Sequence, residues 1–294
     1  MNPLNIIDVS EHNGDIDFAA AKNKGYHFII RGGWGRVGNG RLDKNFRKNV
    51  KSCEQYEIPY GVYWYSYGET PEKTRLEAEF CIANIKNVVG AHFLYPLYYD
   101  IEEAYQRENA QVLADSFCAY SEAQGCYVGV YASLDWWKNT SLKNVKLYDR
   151  WIAAWHYRDK GQSGCGLWQW TDSFNAGVSG LNRCDCNVLY TDYPTLIREK
   201  KLNWIDRENT PLHSVDTMAI AAINGLYGNG EERKNRLGAS YDEVQARVNV
   251  YYTVANQVIN GLYGNGDDRK QRLAKAGYDY STVQKLVNEK LLKK

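Results

Sequence analysis

No stretch of the 294-residue chain approaches the ~20 consecutive apolar residues that a membrane-spanning helix requires. The first residues, MNPLNIIDVSEHNG, lack the basic start and long apolar run of a secretory signal, so synthesis in the cytoplasm without a signal peptide is expected. An excess of charge is lacking too. Lys and Arg number 36 against 35 Asp and Glu, and a net charge of +1 argues against nucleic acid or an anionic membrane as partner. Cysteine is confined to seven positions between Cys53 and Cys186. An odd count without an export signal points to free thiols. Cys184 and Cys186 form a C-x-C, but no second pair or nearby histidine brings it to the four ligands of a structural zinc site. His12, His27, His92, His156 and His213 have no partners at metal or triad spacing; His12, near Asp8, could line a cleft, but a surface or core role is the favoured reading for it. No metal and no cofactor is expected, and nothing in the sequence bears on oligomeric state.

What is present begins with aromatic residues. They make up 14% of the chain, with 24 tyrosines and 9 tryptophans. Such flat, half-polar rings suit a sugar cleft and an ordinary core alike. The tail repeats itself. AAINGLYGNGEERKNRL (221–237) matches NQVINGLYGNGDDRKQRL (256–273), and YDEVQARVN (241–249) matches YSTVQKLVN (280–288). A module used twice follows, each copy reading as helix, glycine turn, helix, short turn, helix. Asp242 and Ser281 stand where N-caps belong. The expected boundaries are a domain at 1–202, a linker at 203–213 containing Pro211, and repeats at 214–250 and 251–294, each a small three-helix module.

Residues 1–202 alternate short apolar runs with amphipathic stretches. Strands are expected at Asn5–Val9, Phe28–Arg31, Gly61–Tyr65, Leu97–Ile101, Val128–Tyr131, Trp151–Ala154, Leu167–Trp170 and Cys186–Leu189. Helices are expected at Phe18–Lys24, Lys44–Tyr56, Pro71–Ile85 and Ala110–Gln124, with Asp43 and Thr70 as N-caps. This alternation predicts an α/β fold, an irregular (β/α) barrel of eight strands with few helices. In such barrels functional residues sit at the C-terminal strand ends. Asp8, Asp100 and Glu102 fall there, and Asp185 flanks the last strand. Asp100 and Glu102 share a face of an extended chain, and Glu103 points elsewhere. Two carboxyls that close raise each other's cost of ionising, so one stays protonated beside an anion, as glycoside hydrolysis needs. A second reading stands beside it, in which DIEEAYQ is only an acidic helix start. GWGRVG (33–38) fits a phosphate-binding glycine pattern but opens no helix, which favours a loop at the barrel mouth.

IIDVSEHNGDIDF, GVYWYSY, YYDIEE, VGVYAS, WIAAW, LWQWT and CDCNV follow the order and spacing of the glycoside hydrolase family 25 lysozymes, which residues 3–200 resemble. The resemblance implies a flattened barrel and hydrolysis of bacterial peptidoglycan between N-acetylmuramic acid and N-acetylglucosamine. It implies Glu102 as general acid, Asp100 as support for the acetamido group or the developing positive charge, and Asp8 and Asp185 as further cleft carboxylates. Tyr63, Tyr131, Trp155 and Trp168 would face sugar, with Asn187 near Asp185. The tail resembles paired CW_7-type cell-wall-binding repeats. It implies wall recognition, for which Tyr227, Arg233, Tyr263 and Arg269 are candidate contacts, unless the tyrosines are core and the arginines surface charge. The whole looks like a phage endolysin, acting on the wall after release. An inactive wall-binding scaffold and a chitinase-like hydrolase are the alternatives.

Overall fold

In the computed structural model the described residues are 5–36, 38–155, 164–205, 215–225, 227–237 and 241–292. Two compact units divide the chain, Met1–Asn209 and Thr210–Lys294.

The first unit is a closed barrel. Its strands are β1 (Asn5–Val9), β2 (His27–Trp34), β4 (Tyr60–Tyr65), β5 (Phe93–Asp100), β6 (Val128–Ser133), β7 (Asp149–Ala153), β8 (Leu167–Phe174) and β9 (Cys184–Leu189), with β3 (Arg41–Leu42) as a short arm on β2. β1 pairs with both β2 and β9, which closes the ring of eight. Neighbours run parallel except at β9, which is antiparallel to β8 and to β1. Helices α1 (Phe18–Asn23), α2 (Phe46–Gln55), α3 (Pro71–Ile85), α4 (Ala110–Ala123), α5 (Leu134–Asn139) and α6 (Tyr193–Glu199) accompany the strands. Alternation along each strand separates two cores. Ile6, Tyr98, Tyr131, Trp151 and Leu167 fill the barrel, whereas Ile7, Tyr99, Val130, Ile152 and Trp168 pack outside it.

Several expectations shift. β5 begins four residues earlier than read, at Phe93, and carries Pro96. A proline is tolerated there because the β4–β5 register breaks between Tyr60 and Val62, so a bulge absorbs the lost donor. Thr70 caps α3 as read, accepting from Lys73 N. Asp43 does not cap α2, whose first residue is Phe46. Its carboxylate accepts instead from Glu11 N, Asn45 N and Arg31 Nε. Gly33 and Trp34 of the glycine pattern continue β2 and pair with β3, so it is a strand and not a loop there. A Cβ on Gly33 would lie 2.2 Å from the Arg41 carbonyl oxygen, which is why β3 can close on it. Residues 203–205 belong to the barrel and not to a linker. Asn203 is buried and bridges the carbonyls of Phe93 and Tyr95 to Tyr127 N. The rest of the expected linker, with Pro211 and His213, lies outside the described residues, as does His156.

The second unit is all-helical: α7 (Val215–Ile223), α8 (Glu231–Leu237), α9 (Tyr241–Ile259), α10 (Gly266–Lys275) and α11 (Tyr280–Leu291). The third helix of the first copy and the first helix of the second are one continuous helix, α9. The expected boundary at 250/251 therefore falls inside it. Its first half packs Val244 and Val248 into one core, and its second half packs Tyr251, Val254 and Val258 into another. Asp279, not Ser281, caps α11, accepting from Thr282 N, and Asp242 lies within the first turn of α9. No helix among the described residues is long and apolar enough to cross a membrane.

Candidate active site

The barrel opens at the C-terminal ends of its parallel strands into a cleft of about 450 Å³. Asp8 enters from β1, and Asp100 is the last residue of β5. Because β9 runs antiparallel, its start lies at the same mouth, and Asp185 stands in register opposite Asp8. Glu102 follows β5 and lines the cleft with these three. Glu103 turns away. Its Oε1 accepts from Tyr65 Oη at 3.0 Å, and its backbone and side chain form a capping box with Gln106 over the turn 104–109. The acidic-start reading of DIEEAYQ thus describes Glu103, while Asp100 and Glu102 belong to the cleft.

Burial sets the electrostatics. Asp8 and Asp100 are almost inaccessible, and burial drives both far above the usual carboxylate range. The charge of Asp185 adds to the effect on Asp8, and that of Glu102 to the effect on Asp100. Glu102 and Asp185 are raised as well, again first by burial, and each is hydrogen-bonded to its neighbour. The four groups form two carboxyl pairs. Each pair retains a proton at pH values where isolated carboxyls are ionised. Asp100 Oδ1 is buried with no hydrogen-bond partner among the described groups, a rare condition for a polar atom.

The walls come from alternate positions on neighbouring strands. Tyr63, Tyr131 and Trp155 line the cleft, as expected for sugar-facing rings, and His12 stands at its rim. Trp168 does not. It points outward into the core, its Nε1 donating to Ala154 O, because Leu167 and Gln169 take the inward positions of β8. Asn187 is fully buried and does not line the cleft. Its Nδ2 donates to Asp8 Oδ2 at 2.8 Å, and its Oδ1 accepts from Trp151 Nε1 at 2.7 Å. Gln169, which sequence reasoning passed over, ties the site together. Its Nε2 donates to Asp8, and its Oε1 accepts from Tyr131 Oη and Trp155 Nε1. Strict alternation through LWQW from an inward Leu167 is a signal that would have found it. Arg31 and Trp151 were also missed, and both line the cleft.

Comparison with known proteins agrees with this fold. Residues 7–178 match Glycosyl hydrolases family 25. The chain belongs to that family. A lysozyme of Streptococcus phage Cp-7 is 32% identical over 203 residues, spanning 65% of this chain and 55% of that protein. The modular autolysin LytC of Streptococcus pneumoniae is 26% identical with a TM-score of 0.53, covering 64% of this chain and 47% of its own. The catalytic domain of endolysin ply40 from bacteriophage P40 of Listeria monocytogenes shares the fold, with a TM-score of 0.55 at 20% identity over 67% of this chain and 97% of its own. This family 25 chain spans about half the length of the phage lysozyme and of the autolysin.

The tail matches the CW_7 repeat twice, at 216–251 and 253–291. Here the candidate contacts are occupied internally. Arg233 donates from Nε to Gly228 O and from Nη1 to Gln245 Oε1, and Arg269 repeats this with Gly264 O and Gln284 Oε1. Each clamps the glycine turn preceding its helix, where Gly228 and Gly264 hold φ of 67° and 69°, values only glycine adopts cheaply. Tyr227 and Tyr263 pack partly buried against the two helical cores. Both arginines remain partly exposed while making these bonds.

Proposed function

We propose that this family 25 protein is a muramidase. It hydrolyses the β-1,4 bond between N-acetylmuramic acid and N-acetylglucosamine in bacterial peptidoglycan, and its repeats hold it on the wall. The observation that carries the reading is the Asp100–Glu102 pair at the foot of an aromatic-walled cleft, facing the Asp8–Asp185 pair. Glu102 is the less buried member, reaches the cleft, and donates its proton to the leaving oxygen as general acid. Asp100, whose Oδ1 has no hydrogen-bond partner among the described residues, accepts the acetamido N–H or steadies positive charge at the anomeric carbon. Asp8, held by Gln169 and Asn187, and Asp185 supply further negative potential. Tyr63, Tyr131 and Trp155 bear on the sugar faces. The phage lysozyme relative and the repeats support action on the cell wall, in the manner of a phage endolysin.

Digestion of purified peptidoglycan, with borohydride labelling of new ends and mass spectrometry, tests this. Muramic acid at the new reducing end is the expected result, and Glu102→Gln should lower its yield ~10²–10⁴-fold. Reducing N-acetylglucosamine, or undiminished turnover by Glu102→Gln, overturns the reading.

A further inference from the structure

Beside the cleft lies a second hollow of about 280 Å³, which shares His12, Arg31 and Tyr65 with it. Its chemistry is the reverse of the cleft's. Arg41 places its guanidinium 4.4 Å from the centre of the Trp34 ring, and Arg31 lies 5.2 Å from the same centre. Glu11 is shared among Arg31, Arg41 and Lys44, while Asp43 is taken up by Arg31. Among these five groups three cations face two anions. Of the cations that share Glu11, Arg41 lines the hollow with its side chain half exposed, so part of its guanidinium is open to a further acceptor. Tyr65 and Tyr67 stand together as the aromatic wall, their ring centres 5.1 Å apart.

We propose that this hollow is a subsite for a carboxylate carried by the glycan beside the bond that is cut, with Arg41 receiving the carboxylate and Trp34 holding Arg41 in place. The inference rests on the muramidase reading above. An anionic substituent is repelled by a cleft holding four carboxyls, so a glycan bearing one binds best where a cation lies next to that cleft. A guanidinium suits the task because its planar fork meets a carboxylate with two donors while its face stays on an indole. The pairing of an aromatic wall with a cation also fits a pyranose that bears an acid and not a neutral one. Two parts of peptidoglycan offer this chemistry: the acidic groups of the stem peptide, and the lactyl carboxylate exposed when that peptide is removed.

The test uses the full chain and soluble glycan fragments in three forms: with stem peptides, with the peptides removed, and with every carboxyl converted to a carboxamide. Amidation should raise KM for the wild-type protein roughly 3- to 10-fold, the range of a partly exposed ion pair backed by a ring. Whichever of the first two forms has the lower KM identifies the source of the carboxylate. Arg41→Gln should raise KM for that form by the same factor and remove the discrimination against the amidated form. Arg41→Lys should keep part of it, since charge remains while the flat stacking is lost. Discrimination by the wild-type protein should also shrink as ionic strength rises, a measurement that needs no variant. A wild-type protein indifferent to amidation, or an Arg41→Gln protein that still discriminates, overturns the subsite. If the wild-type protein cleaves no form, the muramidase reading fails instead. Calorimetric binding of the three forms then reads the subsite by itself, and equal affinity for all of them overturns it.

Discussion

Asp100 and Glu102 are two positions apart, yet the fold treats them differently. Asp100 is pinned by its neighbours: Ser66 N donates to its carbonyl at 3.0 Å, and Ile101 N donates to Tyr131 O at 3.1 Å. Glu102 lies beyond the strand and is exposed to the cleft. Both are raised first by burial; Glu102 raises Asp100 further, while the hydrogen bond from Asp100 pulls Glu102 down. The pair therefore titrates as a unit, and its last proton leaves late because two adjacent anions result. Asp100→Asn removes that like charge. Glu102 then loses its proton at lower pH, so the basic limb of the pH–rate profile should move downward, alongside a large fall in kcat. A limb that stays in place or moves upward shows that the two carboxyls are not coupled.

One element of the scaffold carries a titratable group of its own. Glu77, on α3, is buried behind the turn that follows β4. Its Oε2 lies 2.6 Å from Ser66 Oγ, and its Oε1 accepts from Tyr67 N at 2.9 Å. Gln106 closes the same turn, donating to Ser66 Oγ and Gly68 O. Burial pushes the Glu77 carboxyl up to about 7, against hydrogen bonds from Ser66, Tyr67 and Gly68 that pull it down. The unfolded chain ionises this group near 4.5. Its contribution to stability is therefore complete below pH 4.5 and is lost as pH rises through about 7, by roughly 3 kcal/mol across that window. Glu77→Gln cannot ionise. Relative to the wild-type protein, its stability in urea should rise from pH 4.5 to pH 7. A difference that is constant across this range would show that Glu77 does not titrate there.

For the whole molecule, each unit has its own cores, so separation is a fair expectation. Deleting 210–294 should leave turnover of small soluble fragments within about twofold while reducing attachment to purified walls. Two weak sites on one chain raise effective concentration at a repetitive surface, where avidity gains of ~10²–10⁴ are typical. A single-repeat form must end after Ile259 and not at Val250, because α9 serves both helical cores. Wall pull-down should then fall much more than twofold on losing one repeat. Equal retention by full-length, single-repeat and repeat-free forms would remove the binding role from the tail. Loss of soluble-fragment turnover in a folded repeat-free form would give the tail a part in the cleft.

Local chemistry was enough to determine much of this protein. Strand and helix alternation, with acids at strand ends, predicted an eight-stranded barrel and brought Asp8, Asp100, Glu102 and Asp185 to one mouth. These depend on period and polarity, which are properties of short segments. The duplicated tail was equally legible, because self-similarity needs no geometry to be seen. Tertiary structure alone decided the rest. Only closure of the ring around an antiparallel β9 sets Asp185 opposite Asp8, since register across a barrel is fixed by strands 177 residues apart in number. Only the choice of inward face on β8 turns Trp168 into core and Gln169 into a hub. Fusion of two helices into α9, and the capture of Arg233 and Arg269 by their own glycine turns, follow likewise from packing. A side chain's partners depend on what the fold brings near it, and spacing along the chain does not carry that information.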